Sequence, residues 1–302
     1  MRLNKWGSVL VALVFALGLQ SCEKYNQEED SRYPILFSNN TTRAVAGENE
    51  VKQNGFRVYA HLRNIESQTV AGNFDRKVTF ENSTWGYTGV LYWLPGMEYN
   101  FTAIYPADPF KNGDYTFEAT SEGFSITDYK VSSQTDLMVG NVTRQVPLGQ
   151  NAPNEGSTVN ITLNHILSCV EIKAKTDLDN ITVHSLTLEN IKDHGNYSSG
   201  VWNSNNTGSA ECISNTQLVK NAGFTDITKG GFVVIPGEYN TVKLRLEASN
   251  KTYILDIPEI NWIKGKKYTY TVEIKQNYII FNDSPKVDQW DSESATGSVI
   301  IK

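Results

Sequence analysis

The sequence has few of the residues on which most catalytic and metal sites depend. Its 302 residues include three Cys, too few for a disulfide scaffold. It contains no GxSxG elbow, HExxH motif, CxxC pair, phosphate loop or Rossmann glycine fingerprint. We therefore expect no enzyme activity, no cofactor and no metal site. The four His are scattered without metal-ligand spacing: His61, His165, His184 and His194.

Basic side chains are also in deficit. The chain has 27 Lys and Arg against 33 Asp and Glu, a net charge of −6. Nucleic-acid binders normally present a basic face, so we expect no nucleic-acid partner. With 39% hydrophobic and 20% charged residues, the composition is that of an ordinary globular protein. The length suits one large β domain or two of ordinary size.

Long apolar runs are missing, apart from one near the start. Val9–Leu19 follows the positive residues Arg2 and Lys5. It is shorter than the about 20 residues that span a bilayer, but it fits the apolar region of a signal peptide. The run ends in Leu19-Gln20-Ser21-Cys22, which resembles a bacterial lipobox. We predict a signal peptide over residues 1–21 and lipid attachment at Cys22; a plain secretory peptide with a chance Cys is the alternative.

Period-two alternation is what the rest of the chain has in abundance. Ile35 and Phe37 share one face of a short first strand, and Phe56, Val58 and Ala60 share one face of the next. Similar short runs recur to residue 274, separated by Gly, Asn and Pro, and none shows an apolar stripe at helical spacing. This pattern predicts an all-β protein built of antiparallel sandwiches. The turn-rich segment Gln150–Ser157 is the best candidate for a linker.

A few side chains could carry chemistry, but each has a structural interpretation. Glu171 and Glu273 could form a glycosidase-like pair, although we favour outward-facing strand residues. His165, at a strand end, is more typical of a hydrogen-bonded structural residue than of a ligand. Cys169 and Cys212 could pair, which the sequence leaves open. Three aromatics could stack on sugars, although such clusters are more often core: Trp85, Tyr92 and Trp93.

The order of short motifs resembles the fimbrillin family of Bacteroidetes lipoproteins, the subunits of type V pili. The motifs run from Cys22 to Trp290 and include, in order, Thr42-Arg43-Ala44, Tyr92-Trp93-Leu94-Pro95-Gly96, Leu163-Asn164-His165-Ile166-Leu167-Ser168, Val234-Ile235-Pro236-Gly237 and Gly265-Lys266-Lys267-Tyr268. The resemblance implies two tandem transthyretin-like antiparallel β-sandwiches. With the linker, it divides the chain into a lipidated tether and removable first strand (22–43), an N-terminal sandwich (44–152) and a C-terminal sandwich (153–302).

The resemblance also implies an assembly route. The precursor is exported to the outer membrane, held there by lipid on Cys22, and cut after an Arg by a trypsin-like protease. Arg43, in a polar segment after the first strand, is the expected site; Arg32 is a second candidate. Removal of the strand centred on Ile35 and Phe37 opens a groove for a strand from another subunit. The expected donor residues lie in the C-terminal tail: Val299, Ile300 and Ile301.

Several roles stay open at this point. In the pilin interpretation the chain is a stalk, tip or anchor subunit that joins other subunits in a surface fimbria serving adhesion. The alternative is a surface lipoprotein that binds glycan, never polymerises, and uses Trp93 or Trp202 as an exposed platform. The acidic residues after Cys22 are either a solvated tether or, as in Bacteroidetes lipoproteins, a surface-export signal: Glu23, Glu28, Glu29 and Asp30.

Overall fold

The computed structural model describes residues 32–41, 48–108, 113–121, 123–258 and 261–290. Within these ranges the helical elements are α1 (Glu48–Asn54) and a 3₁₀ turn at Val131–Ser133. No helix among the described residues is both long enough and apolar enough to cross a membrane. The remaining regular structure is β, which confirms the all-β prediction.

The strands are short and follow each other closely along the chain. The first nine are β1 (Leu36–Thr41), β2 (Phe56–Asn64), β3 (Val70–Glu81), β4 (Thr84–Gly86), β5 (Met97–Tyr105), β6 (Thr116–Thr120), β7 (Gly123–Lys130), β8 (Met138–Val146) and β9 (Thr158–His165). The others are β10 (Ser168–Thr176), β11 (Ile181–Ile191), β12 (His194–Ser198), β13 (Val201–Asn203), β14 (Gly208–Leu218), β15 (Thr225–Asp226), β16 (Phe232–Val234), β17 (Gly237–Glu238), β18 (Lys243–Ala248), β19 (Lys251–Asp256), β20 (Asn261–Trp262), β21 (Lys266–Ile274), β22 (Ile279–Phe281) and β23 (Lys286–Gln289).

A seven-stranded sheet encloses the first of two cores. Its strand order is β1-β9-β8-β5-β2-β3-β4. The alternation seen in the sequence decides which side chains enter the core: Phe56, Val58 and Ala60 are buried, while the residues between them are partly exposed. All neighbours in this sheet are antiparallel except β1 and β9, which run parallel.

Gly55 shows why the turn before β2 needs glycine. The helix α1 ends at Asn54, and the Gly55 N–H donates to the carbonyl oxygen of Val51 at 2.8 Å. Gly55 has φ +68°, and a Cβ there would lie 2.4 Å from the carbonyl oxygen of Val78. Both the left-handed backbone and the close approach of β3 therefore exclude a side chain.

A six-stranded sheet and a four-stranded sheet enclose the second core. One has the order β15-β10-β21-β22, with β16 also pairing with β10 and β23 with β21; the other has the order β14-β11-β18-β19. Fully buried aliphatic side chains from both sheets contribute to this core, among them Ile172, Leu186 and Leu244. Here too one pair runs parallel, β10 with β21, whereas we had expected antiparallel strands throughout.

The division into two halves at residues 152 and 153 differs from the structure. Residues 150–157 connect β8 to β9, and both of these strands belong to the seven-stranded sheet. Val159, Ile161 and Leu163 of β9 are buried in the first core, while Ile166 and Leu167 already belong to the second. The chain therefore passes for the last time from the first core to the second at about residue 165, after the predicted linker.

A further sheet combines strands from both halves of the sequence. Its order is β13-β12-β7-β6, with Gly195 of β12 opposite Tyr129 of β7. Side chains of β6 and β7, such as Phe117 and Ile126, pack into the second core although they precede residue 153. The residues from Arg32 onward accordingly form one compact unit that contains two cores.

Candidate functional site

The first strand lies at one end of the seven-stranded sheet. β1 pairs with β9 from Leu36 opposite Thr158 to Thr41 opposite Leu163. The two strands are far apart in sequence, so this pairing joins the N-terminal segment to the last strand of the first core. The Ser38 hydroxyl donates to Oδ1 of Asn160 and adds a side-chain contact to the backbone ladder.

The residues just before β1 are hydrogen-bonded on the opposite side. The Ile35 N–H donates to the carbonyl oxygen of Leu91 at 2.8 Å, and the Trp93 N–H donates to that of Tyr33 at 3.0 Å. Pro34 forms the antiparallel bridge with Tyr92 between these two bonds. The segment from Tyr33 to Thr41 is therefore hydrogen-bonded to residues 91–93 at its start and to β9 along Leu36–Thr41. We call the place that it occupies the first-strand groove.

Ile35 and Phe37 fill the bottom of the first-strand groove. Their exposed fractions are 0% and 1%. The Phe37 ring contacts those of Tyr87 and Phe101 edge to face, with centroids 5.4 and 5.6 Å away. The Tyr87 hydroxyl also donates to the carbonyl oxygen of Ile35 at 2.7 Å. The sequence had marked Ile35 and Phe37 as the apolar face of this strand, but Tyr87 gave no signal of its role.

Trp93 supports the groove and is not a surface platform. Its ring is 1% exposed and stands edge to face against Tyr99 at 4.7 Å. Its Nε1 donates to the carbonyl oxygen of Ser157 at 3.2 Å, in the loop before β9. Trp202 is partly buried, and its Nε1 donates to the carbonyl oxygen of Ile166 at 2.6 Å. The exposed aromatic platform of the alternative, glycan-binding interpretation is therefore wrong, because both indoles pack against the protein.

The burial of Tyr99 changes its acidity. Its hydroxyl accepts a hydrogen bond from the Leu94 N–H at 2.8 Å. Burial raises the pKa of Tyr99 to about 12, although this hydrogen bond opposes the shift. Burial likewise raises the pKa of Tyr87, which is only partly opposed by the hydrogen bond from the Leu91 N–H. Both phenols therefore stay neutral at physiological pH and act as hydrogen-bonding members of the groove wall.

The other residues considered for chemistry have structural partners. Nδ1 of His165 lies 3.0 Å from Oδ1 of Asp136, and both side chains are buried. Glu171 is buried rather than facing outward, and its Oε1 lies 2.8 Å from Nζ of Lys267 on β21. Cys169 and Cys212 are free thiols. The described residues include no cluster of His, Cys, Asp and Glu suited to a metal ion.

Several predicted sites lie outside the described residues. They are the lipidation residue, the cleavage residue and the donor residues: Cys22, Arg43, Val299, Ile300 and Ile301. The described chain ends its first strand at Thr41 and resumes at Glu48, so Arg43 falls in the connection between β1 and α1.

Comparison with known proteins decides the family. The family model described as fimbrillin-like matches residues 42–290, most of the chain. The chain belongs to the fimbrillin-like family. A search of curated proteins finds no match.

Solved structures share the fold of this fimbrillin-like protein. A fimbrial protein from Bacteroides vulgatus superposes with a TM-score of 0.61 at 17% identity, over 86% of this chain and 99% of that one. A candidate cell adhesion protein from Bacteroides uniformis gives a TM-score of 0.55 at 18% identity, over 87% and 100% of the two chains. One from Bacteroides ovatus gives 0.55 at 15% identity, over 87% and 99%. Family membership supports a fimbrial, adhesion-related protein at the cell surface that interacts with other fimbrial subunits.

Proposed function

We propose that the protein is a structural subunit of an adhesive fimbria, assembled by exchange of its first strand. Cleavage after Arg43 separates the strand, and a strand from another subunit then takes its place. The observation that carries this proposal is the first-strand groove, in which Ile35 and Phe37 are fully buried and the strand is hydrogen-bonded to β9 and, at its start, to residues 91–93. The chain can lose this strand without a break inside either core, because the strand precedes all the others of the described residues.

The energetics favour replacement once the strand has left. Removal of Ile35 and Phe37 exposes apolar walls, and burial of such side chains stabilises by about 1.5–3 kcal/mol each. It also leaves the backbone groups of β9 that pair with Leu36–Thr41 without their partners. An incoming strand with alternating apolar side chains satisfies both needs, which is the physical basis of strand addition.

The second core supports this view of β1. β10 pairs in parallel with β21 and antiparallel with β16, whose chain continues into Ile235-Pro236-Gly237. The first-strand segment likewise pairs in parallel with β9 and antiparallel with residues 91–93, which continue into Leu94-Pro95-Gly96. The first-strand segment and β10 thus have the same pairing pattern in their respective cores. β10 is preceded and followed by other strands, whereas β1 is the first strand of the described residues.

Limited trypsin treatment of the purified precursor tests the proposal. We expect cleavage after Arg43, shown by N-terminal sequencing and mass, followed by ladders of oligomers. Arg43→Ala is expected to abolish the ladders, while Arg32→Ala, at the second candidate site before the strand, is expected to leave them. A cut protein that stays monomeric at high concentration with its tail intact would contradict strand exchange.

The donor side is tested separately. The tail residues Val299, Ile300 and Ile301 form a short apolar run, and they are the most β-prone part of the C-terminal segment. Deletion of residues 297–302 is expected to allow cleavage after Arg43 and to block polymer growth. Restoration of growth by a second subunit with an intact tail would confirm that the tail donates. Growth without any tail would show that another segment is the donor.

The attachment to the outer membrane is proposed from Cys22. Cys22→Ser removes the thiol that forms the thioether to lipid, so we expect an unprocessed or misrouted precursor. The intact mass of the protein from native membranes distinguishes the roles: an anchor or a non-polymerising lipoprotein keeps its acylated N-terminus, and a polymerised subunit loses it. Lipidation would be contradicted if the Cys22→Ser variant were processed normally and reached the outer membrane.

A further inference from the structure

Three connections of the second core converge on a polar depression. They are the end of β11 with residues 190–192, the connection from β13 to β14 at residues 204–207, and the connection from β17 to β18 at residues 238–241. The depression has a volume of about 390 Å³ and is open to solvent on one side. We call it the three-loop depression. No aliphatic or Phe side chain lines it, so it is not suited to an apolar ligand.

Most polar side chains around the three-loop depression are free to meet a ligand. Five of these side chains form no hydrogen bond and no ion pair with any described residue: Asn190, Asn205, Thr207, Glu238 and Asn240. Asn190 adopts φ +64°, at a bulge where the pairing of β11 with β14 shifts by a residue. Because these polar groups have no intramolecular partners, a ligand that binds them displaces only water and breaks no hydrogen bond within the protein.

Lys192 is the cation of the depression. Its Nζ lies 4.9 Å from the ring centroid of Tyr239, and it forms no ion pair within the described part of the chain. A Cβ on Gly237 would lie 2.3 Å from this Nζ, so the absence of a side chain at Gly237 makes room for the ammonium group. Burial lowers the pKa of Lys192, and the nearby carboxylate of Glu238 opposes that shift. The ammonium therefore has hydrogen-bond donors to offer, and no acceptor among the described residues bonds to them.

The combination of groups identifies the ligand chemistry. Lys192 can only donate, Glu238 can only accept, and the Asn amides can do both. A ligand whose own groups both donate and accept satisfies this set, and vicinal hydroxyl groups do so. A simple anion fits poorly because the Glu238 carboxylate faces the same space. The Tyr239 ring lies between Lys192 and Trp262, 4.9 Å from the latter's ring, so hydrogen bonds rather than stacking would hold the ligand.

We propose that the three-loop depression binds a neutral saccharide. The site lies in the second core, and its lining residues belong to neither the first-strand groove nor the connection that carries Arg43. Binding therefore does not depend on strand exchange, and the uncut monomer is expected to bind as well as the polymer. A fimbrial subunit with such a site would carry one saccharide contact in every copy, which raises the avidity of a polymer for a glycan-coated surface.

The experiment uses the uncut, folded mature chain on an array of neutral and uronic-acid-bearing oligosaccharides. The neutral oligosaccharide with the strongest signal is then titrated by calorimetry. We expect saturable binding, with Asn240→Ala and Lys192→Met each weakening it about tenfold, as the loss of one good hydrogen bond predicts. Neither change removes an intramolecular hydrogen bond of the described residues, so both variants are expected to fold.

Matched controls come from the rest of the chain. Asn73→Ala removes an exposed amide from β3, in the other core. Lys175→Met removes a cation that lies 4.8 Å from the Phe224 ring, in a contact similar to that of Lys192 with Tyr239. Both controls are expected to leave binding unchanged.

Three results would overturn the proposal. They are the absence of binding to any neutral oligosaccharide up to about 1 mM, unchanged binding by both depression variants, and binding only to charged oligosaccharides. Each leaves the fimbrial proposal intact, because that proposal is tested by cleavage and polymerisation.

Discussion

Trp290 stacks on the imidazole of His165, with ring centroids 4.2 Å apart and an angle of 17° between the planes. His165 is the last residue of β9, and Trp290 follows β23. The Trp290 N–H donates to the carbonyl oxygen of Gly265 at 2.8 Å, so both the backbone and the ring of Trp290 are held. This contact fixes the end of the described chain beside the point where the polypeptide passes from the first core to the second.

Trp290→Ala is expected to destabilise the protein by about 3–5 kcal/mol, the usual cost of removing a large buried aromatic side chain. Trp290 is 2% exposed. Urea denaturation followed by far-ultraviolet circular dichroism measures the effect without depending on the lost fluorophore. Val287→Ala is the control, since Val287 lies on β23 just before Trp290 and is 49% exposed. Equal midpoints for the two variants would show that the stacking contributes little.

Phe37→Ala is expected to destabilise the uncut chain by about 3–5 kcal/mol, because it leaves a cavity between Tyr87 and Phe101. It should also make β1 easier to displace, so that oligomers appear sooner after cleavage. Tyr33→Ala is the control: the side chain is 52% exposed, and only its backbone oxygen takes part in the groove. Urea midpoints and the time course of oligomer ladders are the measurements. Faster exchange by the control variant alone would count against a groove that depends on Phe37.

Gly140 tests how closely β9 approaches β8. A Cβ at Gly140 would lie 2.3 Å from the carbonyl oxygen of Thr162 and 2.8 Å from Cγ2 of Ile161. The clashing oxygen belongs to the backbone of β9, which is paired with β1, so β9 must shift to make room. We expect Gly140→Ala to lower the free energy of unfolding by about 1–3 kcal/mol. Gly72→Ala, with no atom within 4 Å of its added Cβ, is expected to be nearly neutral. Thermal unfolding of both variants distinguishes these outcomes, and a stable Gly140→Ala protein would refute the close approach.

Local pattern predicted the strands and much of the groove. Alternation places Ile35, Phe37 and Phe56 in the core, because the side-chain period of a strand is two regardless of its partner. The roles predicted for the lipobox, cleavage and tail residues stay predictions, since these residues lie outside the described ones.

The pairing between strands that are distant in the sequence could not be predicted from local sequence patterns. The segment Gln150–Ser157 has the composition of a loop, but composition does not show that the loop joins β8 and β9 of one sheet. The parallel pairing of β1 with β9 joins residues more than a hundred positions apart, and the sheet of β6, β7, β12 and β13 crosses the expected boundary. Such contacts depend on the tertiary fold, so no short window of sequence contains them.

Tyr115 has a buried hydroxyl that makes no hydrogen bond to the described residues. Burial raises its pKa, and the phenols of Tyr59 and Tyr105 and the carboxylate of Asp114 add to the shift. Below about pH 10, the ordinary pKa of tyrosine, the phenol is neutral in both folded and unfolded chains, so pH has no effect through this group. Above that pH the unfolded chain ionises first, and stability falls by about 1.4 kcal/mol per pH unit for each such phenol.

Tyr115→Phe is therefore expected to act in two ways. At neutral pH it should leave stability unchanged or raise it by about 1 kcal/mol, because it removes a buried hydroxyl without a partner. Above about pH 10 the free energy of unfolding should fall less steeply with pH, by about 1.4 kcal/mol per pH unit, because one buried phenol is missing. Tyr99, whose pKa is raised to about 12, still contributes to the remaining loss. Urea midpoints measured from neutral to alkaline pH give both effects. Tyr278→Phe is the control, since Tyr278 is 55% exposed and its removal should change neither. A Tyr115→Phe protein that is less stable at neutral pH, and that loses stability as steeply as the parent in alkali, would show that this hydroxyl has a partner and ionises readily in the folded chain.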